Sequence, residues 1–253
     1  MFTATLGTVL FCSLAALVAG FIDSIAGGGG LITLPALLLA GLPPHMALGT
    51  NKMQSSMGTA VALISFANSH LVLWRVALMG LPFSLIGSGI GSNLALYLDE
   101  KLLGTILIVL LPVAMVCTIV PKKERKDANV SRGSHILVPL VCLAIGTYDG
   151  FFGPGTGSFL ILAFHWIVGL GLVQASASVK VLNLASNVGA LCIFLWSGQI
   201  VWAVALPMVV ASIVGNWLGS RTAVRLGARA VRIFLTVSLG LLMVTLVIRT
   251  LNG

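Results

Sequence analysis

Two sets of residues in this chain share one pattern that could support chemistry. In each set an Asp lies four residues before a glycine-rich run, and a Lys follows inside the next apolar segment. Charged side chains inside apolar segments are expensive in lipid and mark functional sites. The two sets are Asp23, residues 27–30 and Lys52, and Asp149, residues 153–157 and Lys180.

The composition of the chain indicates an integral membrane protein. Hydrophobic residues make up 58%, charged residues only 8%, and the mean hydropathy is +1.11. Such a chain has too little polar surface to cover a soluble globule. Apolar segments of about 20 residues fit a hydrocarbon core about 30 Å thick, and they lack the alternation of a membrane barrel. The sequence therefore predicts an all-α polytopic membrane protein.

The apolar segments fall on either side of one hydrophilic run. We predict a first repeat at 1–120, a cytoplasmic linker at 121–134 and a second repeat at 135–253. The predicted helices are 4–24, 31–40, 45–67, 73–98, 102–120, 135–152, 158–168, 173–196, 202–221 and 230–248.

The two halves align with each other, which indicates an internal duplication. Asp23 matches Asp149 at an offset of 126, and Lys52 matches Lys180 at an offset of 128. Five further matches keep nearly the same offset. They are Gly27 with Gly153, Ser55 with Asn183, Trp74 with Trp202, Gly87 with Gly215, and Gly91 with Gly219.

The basic residues favour inverted repeats of about five crossings each, with glycine-broken helices at the midplane. If 31–40 and 158–168 complete crossings and the linker is cytoplasmic, ten basic residues lie inside and only Lys101 and Arg249 lie outside. The alternative is eight helices with re-entrant short segments and parallel halves, which moves Arg221 and Arg225 outside. The net charge of +8 therefore follows from orientation, and no nucleic-acid partner is expected.

Broken helices at the midplane are suited to an anion. A helix that begins after a glycine run directs unpaired N–H groups and a partial positive charge at the gap. Two such breaks in inverted halves are typical of a transporter site. The candidate donors in these runs are Gly28, Gly29, Gly30, Gly155, Thr156 and Gly157.

The two lysines need a compensating partner. Lys at the centre of a membrane helix costs about 2.5–3.5 kcal/mol on an insertion scale. An anionic substrate could compensate Lys52 and Lys180, Asp23 and Asp149 could pair with them permanently, or the lysines could extend toward the interface. The two acids could brace the broken backbone or carry protons.

Neutral polar residues near the lysines could donate hydrogen bonds to an oxyanion, although for each residue taken alone a helix–helix contact is the favoured role. They are Thr50, Ser55, Thr156, Ser178, Asn183 and Asn187. The small-residue pairs Gly87 with Gly91 and Gly215 with Gly219 favour helix packing. No cysteine or histidine spacing indicates a metal or cofactor, and no nucleophile–base arrangement indicates an enzyme.

Three stretches resemble the TauE/SafE sulfite exporter family, also called the toluene sulfonate uptake permease family. They are residues 20–30, with Asp23 and the glycine run, residues 49–52, and residues 149–157. The resemblance covers nearly the whole chain. It implies a multi-pass carrier in the bacterial inner membrane for sulfite, sulfoacetate or other organosulfonates. It also implies eight helices, whereas the charge count favours ten.

These observations predict a secondary transporter that moves a small anion by alternating access, with an anion channel as the alternative. The expected partners are the anionic substrate and membrane lipid. Proton coupling and a homodimer stay open.

Overall fold

The structure is a computed structural model that describes residues 4–118 and 134–226. Helices are the regular elements throughout these two stretches, which confirms the all-α prediction for them. The predicted segment 230–248 and nearly all of the predicted linker lie outside the described residues. In chain order the helices are α1 (Leu6–Ala26), α2 (Gly30–Leu39), α3 (Pro44–Asn68), α4 (Trp74–Tyr97), α5 (Glu100–Thr118), α6 (Ser134–Phe151), α7 (Thr156–Ala163), α8 (Leu172–Trp196) and α9 (Trp202–Leu226).

Four of these helices, α1, α4, α8 and α9, are long and apolar enough to cross a membrane. Each has 21 to 25 residues, about the length that spans a hydrocarbon core at 1.5 Å per residue. Large apolar side chains on α1, α4 and α9 are exposed, which suits helices that face lipid. The protein is therefore membrane-embedded.

Helix α3 differs from these four because polar residues dominate its buried side. It has 25 residues, yet it buries Asn51, Lys52, Gln54, Ser56 and Thr59. Polar side chains on a membrane helix face the interior of the bundle. Helix α3 is therefore the polar centre of the fold, and α8 is its equivalent in the second half.

The glycine runs end α1 and α6. Gly27, after α1, has φ of 74°, and Gly153, after α6, has φ of 91°. Side chains other than glycine rarely adopt these angles, so the helices stop there. Short helices α2 and α7 start a few residues later, and α7 continues into one π-helical turn, Phe164–Val168.

Helices α3 and α8 run antiparallel through the centre of the molecule. Near the start of α3, the Thr50 hydroxyl accepts a hydrogen bond of 3.1 Å from Val201 N, just after α8. Just after the end of α3, Leu73 N donates a 2.9 Å hydrogen bond to the hydroxyl of Ser178, near the start of α8. The two contacts are equivalent under the offset of 128.

Glycines allow outer helices of one half to pack closely against helices of the other half. A Cβ atom at Gly91 of α4 would overlap the carbonyl oxygen of Thr147 in α6. In the equivalent place, a Cβ at Gly219 of α9 would overlap the carbonyl oxygen of Phe21 in α1. Each half therefore packs a helix closely against the other half, as membrane helices do at small residues.

Candidate functional site

The two glycine-rich loops touch each other between α3 and α8. A Cβ atom at Gly27 would overlap backbone atoms of Gly157 and Ser158, and one at Gly30 would lie 3.2 Å from Pro154 Cα. The hydroxyl of Ser158 donates a 3.0 Å hydrogen bond to the carbonyl oxygen of Ala26. The loops are therefore joined directly, so the first turns of α2 and α7 lie close together.

Two buried ion pairs lie beside this contact, and each joins one half to the other. Lys52 Nζ is 2.8 Å from Asp149 Oδ2, with the two side chains 1% and 2% exposed. Lys180 Nζ is 2.8 Å from Asp23 Oδ2, with the side chains 1% and 15% exposed. Both lysines are thus compensated by a carboxylate, which a buried ammonium requires.

The two ion pairs are not identical in their further contacts. Lys52 Nζ donates to Asn187 Oδ1 at 3.2 Å, and Asp149 Oδ2 makes no aligned hydrogen bond among the described residues. Lys180 Nζ donates to both the side chain and the carbonyl oxygen of Asp23. Oδ1 of Asp23 also accepts from Gly29 N at 3.1 Å, so Asp23 braces its loop while it pairs with Lys180.

A small cavity of about 20 Å³ lies at the ion pairs. A cavity needs about 10–15 Å³ to hold one water molecule, so this space fits little more than a single water. The predicted site residues that line it are Asp23, Gly28, Gly30, Lys52, Ser55, Asp149, Gly155, Thr156, Gly157, Asn183 and Asn187.

Four predicted site residues do not line this cavity. Lys180 is one of them, although its ion-pair partner Asp23 does line it. Gly29 lines a neighbouring cavity of about 10 Å³. Thr50 and Ser178 do not line the cavity at the ion pairs, and their hydroxyls hold α3 and α8 together through backbone N–H groups. The sequence allows Thr50 and Ser178 either to bind an oxyanion or to join helices, and in the structure their hydroxyls join helices.

Three residues that sequence reasoning left out of the site also line the cavity: Asn51, Thr59 and Gly153. Thr59 is the equivalent of Asn187 under the offset of 128, so the repeat could have found it. Asn51 corresponds to Val179, and the repeat therefore gives it no support.

The neighbouring cavity extends the site toward α9. It shares Asp23, Ser55 and Thr59 with the cavity at the ion pairs and adds Gln54, Ser212 and Asn216. Oδ1 of Asn216 is buried without a hydrogen bond among the described residues. In residues 4–118 and 134–226, no group of three or more His, Cys, Asp or Glu side chains could hold a metal ion.

The chain is similar to known membrane proteins along nearly its full length. The family model described as sulfite exporter TauE/SafE matches residues 12–246. A probable membrane transporter protein, ORF9, from a Sinorhizobium species is 40% identical over 228 residues, which cover 90% of this chain and 87% of that protein. A probable membrane transporter protein of Haemophilus influenzae is 40% identical over 226 residues, 88% of each chain. The probable membrane transporter protein YfcA of Escherichia coli K12 is 37% identical over 228 residues, 90% of this chain and 84% of YfcA.

No solved structure matches the chain. The family match spans both glycine runs and both lysines, and the aligned regions cover most of the length of each relative. The chain is therefore a membrane transporter that belongs to the TauE/SafE family.

Proposed function

We propose that the chain is a secondary transporter that moves a small sulfur-containing oxyanion or organosulfonate, such as sulfite or sulfoacetate, across the bacterial inner membrane by alternating access. The family description supports the sulfur chemistry. The observation that carries the proposal is the pair of reciprocal ion pairs, Lys52 with Asp149 and Lys180 with Asp23, buried against two glycine-broken helices.

In this proposal each carboxylate occupies the position next to a lysine that the substrate takes when it binds. An oxyanion oxygen could replace Asp149 at Lys52 or Asp23 at Lys180, because both ligands present negative oxygens to the ammonium. The N–H groups of the α2 and α7 first turns would then bind the remaining oxygens. Before an anion binds, the ion pairs with Asp149 and Asp23 compensate both buried lysines.

The size of the cavity favours a carrier over a channel. A channel keeps a continuous water-filled path open, whereas here the two glycine loops are in contact and the cavity beside them has a volume of only about 20 Å³. An oxyanion of several heavy atoms needs more room than the single water that this volume holds. Substrate binding must therefore move the ion-paired groups apart. Binding and conformational change are then coupled, as a carrier requires.

Charge balance favours proton coupling. The two lysines and two carboxylates carry no net charge when all four are ionised. Adding an anion leaves the buried site negative unless a carboxylate takes a proton, and buried net charge is expensive. Asp149 is the better candidate, because among the described residues its Oδ2 is held by the ion pair with Lys52 alone, while Asp23 also accepts from Gly29 N.

The direction of the central helices supports inverted repeats. Equivalent helices that span a membrane run the same way in parallel repeats and opposite ways in inverted repeats. Helices α3 and α8 are equivalent and antiparallel. In addition, residues near the ends of both α3 and α9, such as Asn68 and Arg225, line one cavity. The inverted scheme puts these two ends on the same, cytoplasmic side, whereas the parallel scheme separates them.

Transport in proteoliposomes tests the proposal. Lys52→Met and Lys180→Met are each expected to lower sulfite counterflow at least about tenfold, the effect of losing about 1.4 kcal/mol of charge contact. Lys101→Met is the matched control, since Lys101 is an exposed lysine and its loss should leave the rate unchanged. A pH-sensitive dye in the same vesicles reports protons that move with the anion.

Two results would contradict the proposal. Wild-type rates in both folded lysine variants would remove the lysines from the substrate site. Sulfite currents that persist in single-channel recordings, without acceleration by sulfite on the opposite side, would replace the carrier with a channel. Because Lys52→Met leaves Asp149 unpaired, the double variant Lys52→Met with Asp149→Leu separates a transport defect from misfolding.

A further inference from the structure

A third cavity opens between the ends of α3 and α9. Its volume is about 410 Å³, far larger than the space at the ion pairs. Apolar side chains such as Val61 and Ile64 line one part of it. The polar lining consists of Ser65, Asn68, Ser69, Trp217, Arg221 and Arg225.

Two arginines line this cavity, and the geometry of Arg221 suits an anion. The Arg221 guanidinium carbon lies 4.0 Å from the centre of the Trp217 ring, so the ring supports one face of the group. The N–H groups at the edge of a stacked guanidinium stay free for a bidentate oxyanion. No acidic side chain in the described part of the chain forms an ion pair with Arg221 or Arg225.

The cavity leads toward the ion-paired site along α3 and α9. Trp217 lines it, and the preceding residue, Asn216, lines the cavity of about 10 Å³ that shares Asp23, Ser55 and Thr59 with the central site. Between the two spaces the helices are in direct contact. A Cβ atom at Gly58 would overlap the side chains of Ser212 and Asn216.

The internal duplication provides a comparison for this cavity. The offset of 128 relates Arg221 to Asn93 and Arg225 to Tyr97. The same offset relates Ser65 to Ile193 and Asn68 to Trp196. The equivalent positions of the other half therefore lack both charges, and Ile193 and Trp196 stand in place of Ser65 and Asn68. Of these two equivalent faces within residues 4–118 and 134–226, one carries the paired arginines.

We propose that the Arg221–Arg225 cavity is an outer oxyanion site, through which the substrate anion is captured on one side of the membrane before it reaches Lys52 and Lys180. This inference rests on the proposed function for its inner site. Orientation alone requires basic residues at a segment end. It does not require them to line a cavity with Asn68, Ser65 and a supporting tryptophan. The recognised chemistry is a sulfonate, sulfite or phosphate oxyanion, from solution or from a lipid headgroup.

Charge-selective labelling tests the cavity without measuring transport. Ser65→Cys is introduced into a chain in which Cys12, Cys117, Cys142 and Cys192 are replaced by alanine. The labelling rates of two methanethiosulfonate reagents are then compared, one ending in a sulfonate and the other in a trimethylammonium group. We expect the sulfonate reagent to be favoured, because both guanidinium groups attract the sulfonate and repel the ammonium.

The arginines are then removed in the same background. Arg221→Gln with Arg225→Gln should lower the anion-to-cation rate ratio at least about fivefold at 0.15 M salt, and by more in dilute buffer. Arg75→Gln is the matched control, since Arg75 is exposed and does not line the cavity. A ratio that stays unchanged in the double arginine variant, or that falls equally with Arg75→Gln, would overturn the proposal.

Two lipid compositions separate the sources of the oxyanion. In phosphatidylcholine vesicles, millimolar sulfoacetate should slow the labelling of Ser65→Cys, and replacing half of the lipid by phosphatidylglycerol should change little. Sulfoacetate is used here because sulfite itself cleaves thiosulfonate reagents. If phosphatidylglycerol protects the cysteine and sulfoacetate does not, the cavity holds a lipid phosphate and is not the entrance for substrate.

Transport by the arginine variant distinguishes the two proposals. In sulfite counterflow, the double arginine variant should raise the half-saturating concentration at least about fivefold and keep the maximal rate. The lysine variants should lose the maximal rate itself. If the arginine variant leaves the labelling ratio unchanged while the lysine variants lose transport, the outer site alone is overturned. If the arginine variant lowers the labelling ratio while the lysine variants transport at wild-type rates, the inner site alone is overturned.

Discussion

At the residue level, the reciprocal ion pairs are the central observation. Each of the two lysines is neutralised by the acid of the other half, so both of these ion pairs join the two halves. The sequence indicated that Asp23, Asp149, Lys52 and Lys180 form one site, because charged residues in apolar segments need partners. It could not show which acid meets which lysine, since an offset between repeats gives equivalence and not contact.

Removing one acid should destabilise the protein more in one pair than in the other. Asp149→Asn leaves Lys52, which is 1% exposed, without a carboxylate, and breaking a buried pair costs about 3–5 kcal/mol. Asp23→Asn should cost less, because Lys180 keeps the Asp23 carbonyl oxygen and the Asp23 side chain is 15% exposed. Thermal unfolding of the purified proteins in detergent measures both losses.

The double variant Lys52→Met with Asp149→Leu is the control for this prediction. Replacing a buried pair by apolar residues of similar volume is often neutral, so its unfolding temperature should lie nearer to that of the parent than that of Asp149→Asn. Equal unfolding temperatures for Asp149→Asn, Asp23→Asn and the parent would show that the ion pairs contribute nothing to stability.

At the level of helices, the glycines have two separate functions. In the loops, positive φ angles at Gly27 and Gly153 end α1 and α6. Within the helices, Gly91 and Gly219 allow close approach to the other half. The sequence identified both classes by their runs and their spacing of four. It gave helix boundaries to within a few residues, but it did not indicate the π-helical turn Phe164–Val168, which leaves no such pattern.

Two glycines on α4 provide a matched test of helix packing. Gly91→Ala should destabilise the protein by about 1–3 kcal/mol, because its Cβ would overlap the Thr147 carbonyl oxygen and push α4 away from α6. Gly89 is two residues away with nothing within 4 Å of a Cβ, so Gly89→Ala should be neutral or stabilise by up to about 1 kcal/mol. The unfolding temperatures of the two variants in detergent check the difference. Similar temperatures would exclude close packing as the function of Gly91.

At the level of the whole molecule, the charge count and the helix directions favour the same arrangement. The count placed Arg75, Arg221 and Arg225 on one side, and the cavity between α3 and α9 brings the ends of these helices together. Hydropathy alone could not decide between eight and ten crossings, because α2 and α7 are shorter than a span and α3 is too polar. Contacts between distant residues add the antiparallel direction of α3 and α8, and the number of crossings stays a prediction.

Two equivalent serines test the inverted arrangement. Ser69 follows α3, and Ser197, its equivalent at the offset of 128, follows α8. In a cysteine-free chain, Ser69→Cys should react with an impermeant thiol reagent from the cytoplasmic side and Ser197→Cys from the opposite side. Arg225→Cys serves as the control and should react on the same side as Ser69→Cys. Reaction of both serine positions from one side would support parallel repeats instead.

The packing of α4 on α6 and of α9 on α1 also affects how the protein is assembled. During synthesis, α1 and α4 enter the bilayer before either partner helix has been made. The surface of α4 at Gly91 and the surface of α1 that Gly219 later contacts are then both uncovered. Until those partners arrive, lipid must occupy grooves that only another backbone can fill closely. The first half is consequently an unfinished intermediate, and its exposure to membrane proteases is expected to end only when the last described helix has inserted.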